Sequence, residues 1–203
     1  MSSINSNQFN KSTQQPKSMQ ISFVTGNSGK FAEAEKILKH FGVNIVHHNL
    51  SVDEIRSDSI EEVATASARF AHAKLEGPLF VEDSGLFIPA LNEFPGAYSA
   101  WVFRKLGNEG ILKLAAGEEA EFRACIAYTD GSTVETFTGL VKGRISEEIR
   151  GTGGFGYDPI FIPENVPEVR HSGDKTFAEV PEMKGALSHR KRALEKFGKY
   201  IKK

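Results

Sequence analysis

Hydrophobic residues first take up a regular spacing at about Gln20. Residues 21–25 have the pattern of a short strand, residues 26–29 that of a turn, and residues 30–41 space their apolar side chains as a helix does. A second strand is predicted over 43–46, a helix over about 59–75 and a third strand over 79–82. Ser59 and Glu62 have the spacing of a capping box at the start of that helix. This alternation predicts a sheet with at least some parallel strands.

The second half of the chain has a different pattern. Residues 122–128 and 133–141 look like two strands, and the Asp130-Gly131 pair between them is a strong hairpin signal. A glycine-rich loop at 151–156 precedes a short apolar strand at 160–162, and a Lys/Arg-rich helix is predicted over about 188–202. Residues 1–19 are mostly polar and are expected to be a disordered extension. The pattern therefore predicts one α/β domain over residues 20–203, with antiparallel strands added to the parallel ones.

Composition narrows the possible partners. Of the 203 residues, 25 are Lys or Arg and 26 are Asp or Glu, so no broad field favours a nucleic acid or a membrane surface. No apolar run approaches the roughly 20 residues of a membrane helix, and the start of the chain lacks a signal-peptide pattern. The single cysteine, Cys125, cannot form an intrachain disulfide. We therefore expect a cytoplasmic protein with no nucleic acid and no membrane as partner.

The turn between the first strand and the first helix is a candidate phosphate site. Backbone N–H groups and the helix dipole favour an anion at such a turn, and a lysine adds a point charge. The candidate residues are Thr25, Gly26, Asn27, Ser28, Gly29 and Lys30. Val24 and Phe31 stand where a Walker A loop needs a glycine and a Ser/Thr, which disfavours a P-loop kinase or GTPase. An ordinary strand-to-helix turn with a surface lysine remains an alternative.

Two carboxylates and a hydroxyl, those of Glu82, Asp83 and Ser84, lie at the C-terminal end of the third predicted strand. The carboxyl ends of strands are where open α/β sheets bind ligands, and a buried carboxylate there needs a partner. Hard oxygen ligands facing a triphosphate suit Mg²⁺. The acidic stretch upstream, which includes Glu54, could add a ligand. For Glu61 and Glu62 a solvated helix start is the preferred interpretation.

Two later segments could bind the rest of a nucleotide. The glycine-rich loop ends in Phe155, Gly156, Tyr157 and Asp158, which could close over a planar base, although both rings could instead enter the core. Lys184 could reach a phosphate, while His189 and Arg190 could donate to carbonyl oxygens. Such donors favour the 6-keto group of hypoxanthine or xanthine over the 6-amino group of adenine. The alternative for this segment is a basic helix face with a satisfied histidine.

Together these motifs resemble the inosine triphosphate pyrophosphatase family, whose members cleave dITP, ITP and XTP. The similarity runs from about Ile21 to the C-terminus through TGNSGK, VEDSGL, FPGAYS, GTGGFGYDPIF, TFAEV and SHR, in that order. The resemblance implies an elongated α/β fold with two lobes, a long mixed sheet flanked by helices, and a nucleotide cleft between the lobes. It further implies Mg²⁺ dependence, with Mn²⁺ as a substitute, and a homodimer.

The resemblance also implies a role for each motif. It makes residues 25–30 the triphosphate loop, Asp83 the catalytic and metal-binding carboxylate, and Glu54 a second metal ligand. Ser84 would contact the substrate, residues 155–158 the base and sugar, Lys184 a phosphate, and His189 with Arg190 the base carbonyls. The expected reaction is attack of water on the α-phosphorus with release of pyrophosphate, and either Asp83 or the adjacent Glu82 could orient or deprotonate that water. A Maf-type pyrophosphatase acting on other triphosphates and a non-catalytic nucleotide sensor remain alternatives.

Overall fold

The structure is a computed structural model that describes residues 20–53, 55–164 and 173–203. The predicted disordered extension, residues 1–19, and the proposed ligand Glu54 lie outside the described residues. The strands of the described part are β1 (Gln20–Val24), β2 (Asn44–His48), β3 (Leu79–Phe87), β4 (Glu119–Thr129), β5 (Val134–Ile145) and β6 (Phe161–Pro163). The helices are α1 (Ser28–Leu38), α2 (Ile60–His72), α3 (Ser99–Ala115), α4 (Pro181–Leu187) and α5 (His189–Ile201). None of these helices is long and apolar enough to cross a membrane.

The strands form one mixed sheet in the order β2-β1-β3-β4-β5-β6. β1 pairs in parallel with β2 and β3, whereas β3, β4, β5 and β6 are joined by antiparallel pairing. The predicted hairpin at Asp130-Gly131 is confirmed and joins β4 to β5. The predicted α/β class with a mixed sheet flanked by helices is therefore confirmed.

β3 is the strand at which the sheet changes from parallel to antiparallel pairing. Its parallel register with β1 covers only Leu79 and Phe80, whereas its antiparallel register with β4 continues to Phe87. The prediction that this strand ends at Glu82 is wrong, because β4 supplies hydrogen bonds beyond that point. Asp83 thus lies inside the strand and is paired with Cys125. It nevertheless lies past the carboxyl end of β1, where the parallel half of the sheet stops.

The side chains of β3 alternate between two apolar layers. Phe80 belongs to the layer covered by α1 and α5, and its ring lies 4.3 Å from that of Phe23 and 4.9 Å from that of Phe197. Leu79 and Val81 belong to the layer covered by α2. A third apolar cluster joins the far ends of β3, β4 and β5 to α3 and α4. This third cluster packs α3 and α4 against the sheet.

Two helices were not predicted from the sequence. α3 is interrupted at Gly107, whose φ of 62° and ψ of −168° are not helical, and α4 has only seven residues. Glycine inside α3 weakens its helical pattern, and a two-turn helix gives little periodicity to detect. The predicted C-terminal helix is confirmed as α5, where the Ser188 hydroxyl accepts a hydrogen bond from the Lys191 amide at 3.1 Å.

The start of α5 is held directly against the sheet by Gly139 of β5. A Cβ atom at this glycine would clash with the carbonyl oxygen of His189 and lie 2.6 Å from the amide nitrogen of Ala193. Only glycine permits so close an approach between a helix and a strand. The contact fixes the first turn of α5, and with it His189 and Arg190, relative to β3 and β4.

Candidate active site

The cleft consists of two adjoining cavities, of about 370 Å³ and about 590 Å³. The two cavities share four of their lining residues, which are Asn27, Lys30, Ser84 and Ala100. The larger cavity also contains Thr25, Gly26 and Asp83, so we call it the polar cavity. The smaller one contains residues from 155–158 together with Lys184, His189 and Arg190, and we call it the aromatic cavity. Candidate residues far apart in the sequence therefore meet around one continuous space.

The predicted phosphate loop is capped by its own side chains. Asn27 is the N-cap of α1, and its Oδ1 accepts hydrogen bonds from the amides of Gly29 at 2.9 Å and Lys30 at 3.1 Å. The Thr25 hydroxyl accepts from the Asn27 amide at 3.1 Å. Three of the backbone N–H groups at this turn are therefore already hydrogen-bonded to side chains of the loop itself. Ser28 begins α1, and Gly26 lines the polar cavity.

Lys30 reaches from α1 to β3. Its Nζ lies 2.8 Å from Oε2 of Glu82, whose side chain is 1% exposed. On the other side of the same carboxylate, Oε1 accepts from the Nε of Arg190 at 3.2 Å. Nη1 of Arg190 donates to Glu33 at 2.7 Å, and Nη2 lies 3.5 Å from the Ser84 hydroxyl. We call Lys30, Glu33, Glu82 and Arg190 the ion-pair network.

The ion-pair network fixes the charge of its members. Burial alone would raise the pKa of Glu82, but the positive charges of Arg190 and Lys30 outweigh it and hold that pKa far below its usual value. Burial likewise opposes the charged form of Arg190, and the carboxylates of Glu82 and Glu33 outweigh it and raise the pKa of Arg190. The Glu82 carboxylate is therefore ion-paired with two cations, which makes it a poor general base.

Asp83 lines the polar cavity next to Ser84 and the phosphate loop. Successive side chains of a strand point to opposite faces, so Asp83 and Glu82 belong to different faces of β3, although both line the polar cavity. The oxygens of Asp83, together with those of the loop residues, are of the kind that a hard divalent cation prefers. In the described ranges no three His, Cys, Asp or Glu residues cluster closely enough to hold a metal. A ligand set that includes Glu54 would extend outside those ranges.

The glycine-rich loop places its two rings differently. Phe155 is 43% exposed and stands over the aromatic cavity, with Nζ of Lys184 4.0 Å from its ring centroid. Tyr157 is 4% exposed and packs edge-on against Phe103, and its hydroxyl donates to the Ser99 carbonyl at 3.0 Å. Tyr157 thus belongs mainly to the core, as the alternative interpretation expected. Gly156 lies between the two rings with φ of 63°.

Asp158 holds the glycine-rich loop in place through its carboxylate. Its carboxylate is buried, accepts from the Phe155 amide at 2.7 Å, and lies 2.5 Å from Nζ of Lys184. Asp158 therefore acts on the cavity by holding Lys184 and Phe155 in place. Lys184, in α4, is brought to the loop by this ion pair.

His189 lies flat against Phe122 of β4, with ring centroids 4.8 Å apart. Burial and the nearby charge of Arg190 hold the pKa of His189 well below its usual value, so the ring is neutral. Its Nδ1 is buried and has no hydrogen-bond partner among the described residues. Neutral imidazole has one N–H donor and one acceptor nitrogen, and this ring is among the residues that line the aromatic cavity.

Several residues of the site were missed by the sequence analysis. Glu33 is three residues after Lys30 in α1, a spacing that places both on one helix face. Phe122, Phe103 and Arg104 line the aromatic cavity, but no local motif marks them. Of these residues, only Glu33 has a usable signal in the sequence, which is its helical spacing from Lys30.

Comparison with known proteins identifies the family of this chain. The model of the Ham1 family matches residues 21–200. The chain belongs to the Ham1 family. Among its relatives are the dITP/XTP pyrophosphatase of Methanopyrus kandleri, 51% identical over 91% of this chain and 97% of the relative, and that of Thermococcus kodakarensis, 47% identical over 91% and 98%. The structure of a HAM1 protein from Coxiella burnetii superposes with a TM-score of 0.74 at 30% identity, covering 90% of this chain and 98% of that one.

Proposed function

We propose that this Ham1-family chain hydrolyses non-standard purine nucleoside triphosphates such as dITP, ITP and XTP to the monophosphate and pyrophosphate. The observation that carries the proposal is the continuity of the two cavities. The polar cavity has a carboxylate and a phosphate loop, and the aromatic cavity has a ring over its mouth and donors at its wall. Relatives that share up to 51% identity bear the name dITP/XTP pyrophosphatase. Removing such nucleotides keeps their bases out of DNA and RNA.

In this proposal the triphosphate occupies the polar cavity. Thr25, Gly26, Asn27, Ser28, Gly29 and Lys30 would contact its phosphates, and Ser84 would lie where the two cavities join. Asp83 and Glu54 would hold Mg²⁺, or Mn²⁺ in its place, which neutralises charge on the phosphate oxygens when it is bound. The Lys30 ammonium, positioned by Glu82, adds a second positive charge near the bond that breaks.

The reaction itself would be a single displacement at phosphorus. Asp83 orients a water molecule and accepts its proton, the water oxygen forms a bond to the α-phosphorus, and the bond to the bridging oxygen breaks. Pyrophosphate leaves with the electron pair of that bond. We assign the base to Asp83 and not to Glu82, since the low pKa of Glu82 and its two cation partners leave it little basicity.

Base selection would take place at the far end of the aromatic cavity. Phe155 would stack on the purine, and the ring N–H of His189 and Nη2 of Arg190 would donate to O6. Adenine has an amino group at this position and would leave both donors unpaired. A buried donor without a partner costs about 1–3 kcal/mol, so two of them would cost about 2–6 kcal/mol, a discrimination of about thirtyfold or more.

The test is a panel of dITP, XTP, ITP, GTP, ATP and dTTP, assayed with Mg²⁺ and with EDTA. We expect pyrophosphate from dITP, ITP and XTP only when metal is present. Orthophosphate as the first product would identify a γ-phosphatase instead. Preference for a pyrimidine triphosphate would favour a Maf-type pyrophosphatase, and tight binding of dITP without turnover would favour a nucleotide sensor.

We also propose a homodimer in the cytoplasm. The exposed aromatic residues Phe94, Tyr98 and Trp101 lie close together in sequence, around the start of α3, and offer apolar surface for a second copy. Cys125 is buried and free, as fits a reducing compartment. Light scattering of the purified chain tests the dimer, and a monomer at all concentrations would overturn it.

A further inference from the structure

The cationic side chains around the cleft differ in whether a carboxylate of the protein is paired with them. Lys30 is paired with Glu82, Lys184 with Asp158, and Arg190 with both Glu82 and Glu33, each at 3.2 Å or less. Every cationic side chain that the motifs pointed to is therefore already balanced by a carboxylate of the protein. A triphosphate that enters the cleft brings several negative charges, and these paired cations neutralise it only in part.

Arg104 is a fourth cation at the cleft, and it lies outside every motif. It belongs to α3 and lines the aromatic cavity. Within the described ranges it has no hydrogen bond, ion pair or ring contact, in contrast to Lys105, which lies over the Trp101 ring. The Arg104 side chain is exposed, so its guanidinium keeps all of its donors for a ligand.

The position of Arg104 in α3 shows which part of a ligand it would meet. Residues one turn apart lie on the same helix face, so Arg104 lies next to Ala100. Ala100 lines both cavities and therefore marks their junction. In a nucleotide spread over the two cavities, the α-phosphate and the sugar would lie at that junction, between the base and the outer phosphates.

The helix face that presents Arg104 is fixed against the aromatic cavity. The hydroxyl of Tyr157 donates to the Ser99 carbonyl, and the rings of Phe103 and Tyr157 meet edge to face at 5.2 Å. Beyond the break in α3, the Asn108 side chain donates to the Gly156 carbonyl at 3.2 Å. These contacts hold the backbone around Arg104 in one place while its side chain stays accessible.

We propose that Arg104 binds the α-phosphate of the nucleotide at the junction of the two cavities. A guanidinium forms paired hydrogen bonds with phosphate oxygens, which an ammonium or an amide cannot reproduce. Since Arg104 would contact the phosphate that remains on the product, it would strengthen binding of the monophosphate as well as of the triphosphate. The inference rests on the proposed function for the identity of the nucleotide.

The experiment compares Arg104→Gln, Arg104→Lys and the wild type by calorimetric titration with IMP and by KM for dITP. Lys105→Gln is the matched control, because Lys105 is the adjacent residue and is not among those that line either cavity. We expect Arg104→Gln to weaken IMP binding about tenfold and to raise the KM for dITP by a similar factor, with kcat changed less than threefold. Arg104→Lys should recover part of the loss, and the control should match the wild type.

A second ligand separates a phosphate contact from a contact to the sugar or base. Inosine, used as a competitor of IMP, has the same base and sugar without the phosphate, so its affinity should be equal in wild type and Arg104→Gln. An unchanged affinity for IMP, or an equal loss for IMP and inosine, would overturn the assignment. Because titration with IMP needs no turnover, it tests Arg104 even if the wild type hydrolyses none of the triphosphates.

Discussion

Arg190 of α5 and Glu82 of β3 form an ion pair, Nε to Oε1 at 3.2 Å, in which the two side chains are 2% and 1% exposed. The same carboxylate binds Lys30 of α1. One buried anion therefore pairs with the lysine of the predicted phosphate loop and with the arginine proposed to contact the base. A change at Glu82 should affect both ends of the cleft.

The first prediction concerns the stability of this network. Glu82→Gln keeps the shape of the side chain but leaves the buried Arg190 and the partly buried Lys30 without their shared anion. Losing one partner of a fully buried pair costs about 3–5 kcal/mol. Since glutamine retains some hydrogen bonding, we expect the free energy of unfolding to fall by about 2–4 kcal/mol. Urea denaturation measures it.

The matched control is Glu121→Gln on the neighbouring strand β4. Glu121 pairs with Arg123 at 2.8 Å, but that pair is partly exposed, at 18% and 31%. Exposed pairs contribute about 0–1 kcal/mol, so this variant should stay within about 1 kcal/mol of the wild type. Equal losses in the two variants would mean that the ion-pair network adds no special stability.

The second prediction is that the folding stability depends on pH because of His189. Burial, followed by the charge of Arg190, keeps the pKa of His189 well below the 6.5 of an unperturbed histidine. Below pH 6.5 the unfolded chain binds a proton that the folded chain does not, so stability falls as the pH falls. This one group should cost about 1.4 kcal/mol per pH unit below 6.5.

Urea midpoints at pH 7.5 and 5.5 measure this effect. His189→Gln has no titrating group at this position, so its stability should change less between the two pH values than that of the wild type. His40→Gln is the control, because His40 is exposed on the surface and its loss should leave the wild-type dependence intact. If His189→Gln and the wild type lose equal stability, the histidine is not held neutral by the fold.

The third prediction concerns catalysis by Asp83. Asp83→Asn keeps the size of the side chain and removes its charge and its basicity. We expect kcat for dITP to fall at least about a hundredfold, while circular dichroism stays unchanged. Asp130→Asn, at the exposed hairpin turn where Asp130 accepts from the Ser132 hydroxyl at 2.7 Å, should keep full activity. Near-normal turnover of folded Asp83→Asn would remove this residue from the mechanism.

The fourth prediction concerns selectivity at Arg190. Arg190→Ala removes a donor to O6, so kcat/KM should fall far more for ITP than for ATP, and their ratio should narrow about tenfold or more. The variant also leaves Glu82 without its guanidinium partner, so it should be assayed at a temperature at which it remains folded. Arg192→Ala is the control, since that side chain donates to the Leu140 carbonyl at 2.8 Å and does not line the cleft. Equal losses on ITP and ATP would assign Arg190 to phosphate binding or to structure.

The sequence predicted the elements that depend on nearby residues. It missed the features that depend on pairing between residues far apart in the chain. The hairpin at Asp130-Gly131 and helix α5 follow from nearby residues and are confirmed. The length of β3 depends on its pairing with β4, about 40 residues later, so no local pattern could place Asp83 inside a strand. Pairing of Glu82 with Arg190, 108 residues away, likewise requires the fold to be known.

The candidate site likewise includes features that the sequence predicts and features that depend on the fold. Thr25 to Lys30 and Phe155 to Asp158 were found because glycine and polar residues mark such loops. Whether a ring of the second loop enters the core or covers the cavity depends on what lies opposite. Tyr157 meets Phe103 and the Ser99 carbonyl, and Phe155 meets Lys184, so the two rings take different roles.

The cleft has one wall of β3 and α5, joined by buried ion pairs, and another formed by a face of α3. A substitution in the first wall would change the proposed substrate contacts and the folding stability together, whereas Arg104 occupies an exposed position of its helix. Members of the family that acquire new substrates without losing stability should therefore differ first at positions equivalent to Ala100, Phe103 and Arg104. The ion-pair wall would then be the slowly changing side of the enzyme, and the α3 wall the side on which its substrate range can evolve.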